Sequence, residues 1–326
     1  MIEVVRIGPL ASVQDMGRDG YRSIGLSSSG AMDKVALEIG NVLLGNDPNC
    51  AGIEITVPPT VLRFHVRTSI ALTGAIVSAT LNGETSVRPW WCMTVEKGDE
   101  LEIKRSRYGA RSYLAVKGGI DGREVLGSRS TDLNVGFGGF EGRALRKGDW
   151  IPLLSRMHDE TTLRRVGVLS PWEALPIDGR MAIEWEETVV RVLPASEYGN
   201  FTRASIDELW SSGWTVESES NRIGYRLKGP TLRLSAPLEM LSHGIVPGVI
   251  QVPPSGQPIV AMADAQASGG YPKIGTVIEA DLWRVAQTNL GRPIRFRECT
   301  LDQAVDAYAE LRRYLGHLGD MWWRVT

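Results

Sequence analysis

At 326 residues the chain exceeds what one hydrophobic core usually serves, so two domains, or one unusually large one, are expected. With 43% hydrophobic, 23% charged and 7% aromatic residues it can bury a large core and lacks the polar, aromatic-poor signature of disorder. The net charge of -2, from 36 Lys and Arg against 38 Asp and Glu, provides no basic field for a polyphosphate backbone, so nucleic acid is not an expected partner.

The N-terminus, Met1, Ile2, Glu3, Val4, Val5, has no basic segment followed by an apolar one, and no apolar run reaches the ~20 residues that span a bilayer. Neither export nor a membrane is indicated. Cys50, Cys92 and Cys299 are odd in number and show neither CxxC spacing nor a nearby histidine, which fits a reducing cytoplasm rather than a disulfide framework or a structural zinc site.

Short alternating or β-branched runs predict strands at 1–7, 61–66, 69–72, 76–81, 100–104, 112–116 and 150–154. Asn82-Gly83 and Lys97-Gly98-Asp99 supply the turn residues of hairpins between them. The exception is 31–44, which places Val35, Ile39, Val42 and Leu43 on one helical face and stops at Gly45-Asn46. Between 155 and 180 the pattern breaks at Arg156, His158, Asp159, Glu160, Arg164 and Arg165, followed by Pro171 and Pro176; this predicts a boundary, with domains at 1–160 and 161–326.

The β rhythm resumes at 188–193, 215–217, 232–235, 248–252, 259–263 and 294–297, with short helices at 205–210 and 281–287. Thr300 and Gln303 form a capping box ahead of Val305, Tyr308, Leu311 and Leu315, a terminal amphipathic helix. The fold class is therefore mainly β, as two barrel-like domains with few short helices. No repeat period or low-complexity tract supports a solenoid or propeller.

Three segments carry candidate chemistry. The first runs Gln14-Asp15-Met16-Gly17-Arg18-Asp19-Gly20 and continues through Ser27-Ser28-Ser29-Gly30-Ala31-Met32-Asp33. Its glycines permit close backbone approach, a helix N-terminus beyond Ser29 offers N–H groups to an anion, and Arg18 can clamp a carboxylate or phosphate; a surface loop with a helix cap explains the same residues. The second joins Gly118-Gly119-Ile120 to Gly127-Ser128-Arg129-Ser130-Thr131 after the strand carrying Arg111 and Tyr113. An arginine among hydroxyls suits an oxyanion, but the GxxxxGK[ST] spacing is absent, and Ser and Gly are also ordinary turn residues.

The third and densest segment runs from Asn221-Arg222-Ile223-Gly224-Tyr225 through Ser242-His243-Gly244 and Gln251 to Gln257, Asp264 and Gly269-Gly270-Tyr271-Pro272. Gln251 and Gln257 offer the donor and acceptor pair that matches a cyclic urea or lactam, and Asp264 ends an apolar strand where an unpaired carboxylate is costly. Capping of the Gly-Gly-Tyr-Pro turn is the plainer role for Asp264. His65, His158, His243 and His317 are scattered without HExxH, so no metal is indicated, and neither a GxSxG elbow nor a triad is evident at Ser242-His243. Met321-Trp322-Trp323 reads as packing or an interface patch.

The ordered motifs VQDxGRxG at 13–20, SxSGAMD at 27–33, GNxxxxAxxE at 45–54, GSRST at 127–131, NRxGxRLxG at 221–229, GxIQVPxxGxPI at 248–259 and DxQxxGGYPxIGxV at 264–277 resemble the carboxyltransferase A/B-domain family over nearly the whole chain. That family includes allophanate hydrolase subunit 2-type proteins, the carboxyltransferase part of urea carboxylase and the C-type subunits of bacterial ATP-dependent 5-oxoprolinase. Ala265 and Ala267 depart from it, standing where many relatives carry larger polar residues.

The resemblance implies two cyclophilin-like β-barrel domains with a substrate canyon between them. It also implies transfer of a carboxyl group from carboxybiotin to an amide nitrogen, or ATP-dependent opening of the 5-oxoproline lactam. No Met-Lys-Met biotin site and no P-loop occurs in this sequence, so a biotin cycle would need other chains. A chain that begins at the carboxyltransferase domain fits an enzyme split over several chains, with a B-type kinase-inhibitor-like protein and an A-type protein as partners and ATP supplied in the complex.

On this reading Arg18, Arg129 and Arg222 balance phosphate and the substrate carboxylate, Gln251 and Asp264 orient the lactam N–H, and Gln14, Asp15, Ser29, Arg111, Ser128, Asn221, Gln257 and Tyr271 line the substrate. Action on urea-like amides with biotin is the alternative reaction. Antagonism of a kinase-inhibitor-like protein is the non-enzymatic alternative.

Overall fold

The computed structural model describes residues 1–154, 165–177 and 187–325, with side chains to residue 320. Half of the expected break at 155–180, including His158, lies outside the described residues, as do the side chains of Met321, Trp322 and Trp323. The chain forms two compact units: Met1–Arg18, Ser29–Pro171 and Tyr314–Thr326 make the first, and Asp19–Ser28 with Trp172–Arg313 make the second. Each is assembled from separate stretches, unlike the contiguous halves expected from the break in pattern.

In the first unit β1 (Ile2–Arg6), β2 (Ser12–Gln14), α1 (Lys34–Val42), β3 (Gly52–Ile55), β4 (Thr60–Phe64), β5 (Thr68–Leu81), β6 (Thr85–Val87), β7 (Trp91–Val95), β8 (Glu100–Val116) and β9 (Trp150–Ile151) follow in order. The nine strands form one sheet, β2-β3-β8-β4-β1-β9, to which β5 is joined through β8 and itself carries β6 and β7. The runs at 69–72 and 76–81 are one strand, as are those at 100–104 and 112–116. Turn-like residues between the runs mark irregularities inside strands: register shifts lie between Gly74 and Ala79, and Gly74 and Gly109 hold φ of 87° and 85°. Such bulges bend a long strand and curl the sheet around its apolar face.

That face holds Ile2, Phe64, Leu72, Leu101 and Leu114, all buried. Asn82-Gly83 does turn a hairpin, with Leu81 opposite Thr85. Lys97-Gly98-Asp99 does not, because β7 and β8 lie on different pairings of β5 rather than against each other. Helix α1 lies close on the sheet because Gly40 has no side chain: a Cβ there would sit 3.1 Å from Ala115 Cβ.

A short helix, α2 (Pro171–Ala174), precedes the barrel of the second unit. Its elements are β10 (Thr188–Pro194), α3 (Arg203–Ser211), β11 (Gly213–Val216), β12 (Gly224–Lys228), β13 (His243–Gly244), β14 (Val249–Gln251), β15 (Ile259–Ala261), β16 (Ser268–Gly269), β17 (Lys273–Val277), α4 (Leu282–Gln287) and β18 (Pro293–Glu298). Seven strands close as β10-β17-β14-β15-β12-β11-β18, the seam being the parallel pair β10–β18. Trp214 and Phe296 stack in its core with centroids 6.2 Å apart. Residues 232–235 are not a strand; only Leu234 makes an isolated bridge, to Phe201.

The mainly β expectation thus holds, as a closed barrel in the second unit and a curled nine-stranded sheet in the first. The final helix, α5 (Leu301–Val325), starts at its expected capping box, with Thr300 N–H to Gln303 Oε1 at 2.9 Å and Gln303 N–H to Thr300 Oγ1 at 3.3 Å. None of the described helices is long and apolar enough to cross a membrane.

Candidate active site

The first motif and the GSRST loop meet in the first unit at one carboxylate. Asp15, 2% exposed, accepts from Gly17 N–H at 2.8 Å, Ser128 Oγ at 2.7 Å, Ser130 Oγ at 2.5 Å and Arg129 N–H at 2.5 Å. A buried carboxylate is tolerated when donors surround it, and here the donors come from the two loops it joins. Asp15 therefore fixes the loop rather than presenting a vacant oxygen.

Arg18 is buried beside it, donating to Ser130 C=O at 2.6 Å with its guanidinium 4.7 Å from the Phe137 ring centroid. Gln14 is held inside β2 by Ser12 Oγ and Thr131 C=O, while its Oε1 is buried without a hydrogen-bond partner among the described residues. Arg129 turns to the surface and pairs with Glu124 at 2.8 Å. The two motifs thus place their arginines in different environments.

The anion site expected at a helix N-terminus beyond Ser29 is displaced and filled. Helix α1 begins at Lys34, and the Asp33 carboxylate accepts from Ala36 N–H at 2.9 Å, capping it. Ser29, at φ 50°, donates instead to Asp132 at 3.4 Å. Arg111 belongs to a buried network: it lies 3.8 Å from Glu54, which accepts from Tyr113 Oη at 2.8 Å and Met32 N–H at 2.9 Å, while Tyr113 Oη accepts from Asp33 N–H. Burial, reinforced by the negative charges of Glu54 and Asp33, pushes the Tyr113 phenol well above its usual range, so it stays a neutral donor.

In the second unit Arg222 and Asp264, both nearly buried, form a two-pronged ion pair, Nε to Oδ2 at 2.8 Å and Nη2 to Oδ1 at 3.0 Å. The backbone closes the same contact, Asp264 N–H donating to Arg222 C=O at 2.9 Å. Asp264 is thus charge-matched by Arg222. Asn221 is exposed and shapes the preceding turn by accepting from Ile223 N–H at 2.8 Å. Gln257 clamps Gly229 through both amide atoms, at 2.9 and 3.2 Å, which removes it from the expected substrate contacts.

Gln251 is different. Its Nε2 donates to Tyr271 C=O at 3.3 Å, which fixes the orientation of the amide. A register shift separates Ile250 from Gln251, and Gln251 lies directly opposite Lys273. Lys273 N–H donates to Glu197 Oε2 at 3.0 Å, and its Nζ stands 3.9 Å from the same oxygen. Burial raises the Glu197 carboxyl, but the Ser196 hydroxyl, the Lys273 N–H and the charges of Lys273 and His243 outweigh it and hold the group below its usual range. His243 pairs with Gly269 across β13–β16, and Gly269 is close enough that a Cβ there would stand 3.0 Å from Gln251 Nε2. Arg22 anchors the same region, donating to Gln266 C=O at 2.9 Å and to Ile245 C=O.

Ala265, one of the two departures from the family pattern, is packed with Ile245, Val249 and Ala261, so its small side chain serves a core contact. Glu197 and Lys273 carry no motif of their own in the sequence; the signal was only that Lys273 follows the Gly-Gly-Tyr-Pro turn. Arg191 and Asp281 were likewise unforeseen. They pair at 2.8 Å across β10 and the turn before α4, and Arg284 lies 3.3 Å from the same carboxylate.

A closed seven-stranded barrel, a curled sheet organised by the VQDxGR and GSRST segments, and an Arg–Asp pair bracketing NRxGxR and DxQxxGGYP define a carboxyltransferase-type chain. The model of the carboxyltransferase domain, subdomain A and B, matches residues 24–298, and the chain belongs to that family. It is 43% identical over 325 residues to a protein of Escherichia coli (strain K12) named as the C subunit of 5-oxoprolinase, covering 100% of this chain and 99% of that one. The Haemophilus influenzae protein of the same name is 43% identical over 313 residues, 96% of this chain and 94% of that one. The crystal structure of the K. lactis urea amidolyase superposes with a TM-score of 0.87 at 29% identity, over 97% of this chain and 20% of that much longer one.

Proposed function

We propose that this chain is the C-type component of an ATP-dependent 5-oxoprolinase, working with B-type and A-type partner chains in the cytoplasm to open the lactam of 5-oxoproline to glutamate. The observation that carries the reading is end-to-end identity of 43% with a protein of that name, over 100% of one chain and 99% of the other. Urea amidolyases also align, at 32% identity for the Saccharomyces cerevisiae protein, but there the chain corresponds to 16% of a longer polypeptide.

Amide resonance makes a lactam carbonyl a poor electrophile, and transfer of the ATP γ-phosphoryl group to the amide oxygen removes that resonance. ATP is a substrate of the complex on this reading. The chain's own part is to hold the lactam. Gln251 meets the requirement, since its amide is locked by the Tyr271 carbonyl and retains a donor for the lactam oxygen. The Arg222–Asp264 pair keeps the turn after β15 fixed to the turn before β12, so the two act as positioning residues for the strands that carry Gln251 and the Gly-Gly-Tyr-Pro turn.

The test is reconstitution of the chain with its two partners, with glutamate and ADP measured together. Glutamate formation that requires 5-oxoproline, ATP and all three chains is expected. Turnover of urea with a carboxybiotin carrier, or sequestration of the B-type partner with no turnover, would overturn the assignment in favour of the other two readings.

A further inference from the structure

Lys273 has a part-buried side chain, 20% exposed, that makes no hydrogen bond through Nζ among the described residues. Its nearest carboxylate oxygen, Glu197 Oε2, is 3.9 Å away and already accepts the Lys273 backbone N–H. Glu197 thus supplies countercharge without using the three ammonium donors, which remain available to a ligand that displaces water from them.

The position of those donors is informative. Lys273 and Gln251 are directly opposed on neighbouring antiparallel strands, so their side chains leave the same face with Cβ atoms roughly 5 Å apart. Gln251 offers an amide N–H, and Lys273 offers a cation. A five-membered lactam bearing a carboxylate on the ring presents an acceptor to each of two such neighbouring donors. Urea and simple uncharged monoamides present only one carbonyl and no anion.

We propose that Lys273 Nζ binds the ring carboxylate of the substrate while Gln251 binds its lactam oxygen, so that this pair selects cyclic amides that are also acids over uncharged amides. This rests on the 5-oxoprolinase reading and adds the origin of its specificity. Lys273 is a binding residue here; it takes no part in bond making or breaking.

Lys273→Met keeps the length of the side chain and leaves the backbone N–H to Glu197 intact, and Lys273→Arg keeps the charge. Initial rates of the reconstituted complex are compared for 5-oxoproline and for pyrrolidin-2-one, which lacks the carboxylate. We expect the methionine variant to raise KM for 5-oxoproline at least 30-fold with kcat changed less than 5-fold, to leave pyrrolidin-2-one unaffected, and so to collapse the preference between them; arginine restores part of it. An unchanged preference in a variant that melts like the parent overturns the inference.

Calorimetric binding of 5-oxoproline to the isolated chain separates this from failure of the functional reading. If the parent complex turns nothing over, binding by the parent and loss of binding in Lys273→Met still support the pair. Equal binding by both, or none by the parent, sinks it.

Discussion

Both units bury a carboxylate at the centre of a motif, and they neutralise it by different means. In the first, Asp15 is surrounded by hydroxyls and backbone N–H groups drawn from two loops. In the second, Asp264 faces the guanidinium of Arg222 at 2.8 and 3.0 Å. Neutral donors spread the stabilisation over several short contacts and tie down a loop; an ion pair concentrates it in one partner and makes that partner indispensable. The contrast predicts how each site breaks.

The largest effect is expected at Arg222→Ala. Removing the cation strands Asp264 in a buried site and should cost about 3–5 kcal/mol, whereas replacing both members by apolar residues of similar volume should be much milder. Urea denaturation of the two single variants and the double variant measures the difference; additive losses would show that the pair is not coupled. Turnover of the reconstituted complex should fall sharply with Arg222→Ala for the same reason.

Asp15→Ala leaves four donors to find other acceptors, at a cost on the order of 3 kcal/mol, with the damage confined to residues 127–131. Hydrogen exchange at the amides of Arg129 and Ser130 reports it directly. Protection at those amides equal to the parent would mean that the carboxylate does not organise the loop.

Gly30→Ala tests the same knot from the backbone side. Gly30 holds φ of 88°, and an added Cβ would lie 2.8 Å from Gly17 N, so a loss of about 1–3 kcal/mol is expected from strain and collision together. A melting temperature within 1 °C of the parent, on the order of a few tenths of a kcal/mol by the usual entropy of unfolding, would show that the two segments can separate freely.

The smallest effect concerns pH and belongs to the second unit. Because Glu197 ionises more readily folded than unfolded, its ionised form stabilises the fold above the unfolded carboxyl value of about 4.3, and that stabilisation is lost as pH falls through the lower folded value. The stability difference between parent and Glu197→Gln should therefore shrink as pH drops from about 5 towards 3. A difference that grows over that interval would reverse the assigned sign.

Local patterns were legible where one residue type has one physical use. Thr300 with Gln303 announced a helix start and supplied it, and Asn82-Gly83 announced a hairpin and turned it. Reading failed where the same residues serve two geometries. Turn-forming residues between 72 and 76, and between 104 and 112, suggested breaks, but in strands whose pairing continues on both sides a glycine at positive φ bends the strand instead of ending it. The helix expected from residue 31 shows the same ambiguity: Ser29 and Asp33 are both good caps, and the fold uses the second, whose backbone N–H is held by Tyr113.

The sequence by itself determined the class of fold, the family and the segments that matter, because hydrophobic alternation, capping boxes and ordered motifs are properties of neighbouring residues. It could not determine partners. That Asp15 would be saturated by the GSRST loop, that Gln257 would be consumed by Gly229, and that Lys273 would stand beside Gln251 with its donors unused all depend on segments distant in sequence being brought together by the pairing of the sheets. Register is a property of the whole sheet, set by burial of its apolar face at once, and no local stretch of chain encodes it.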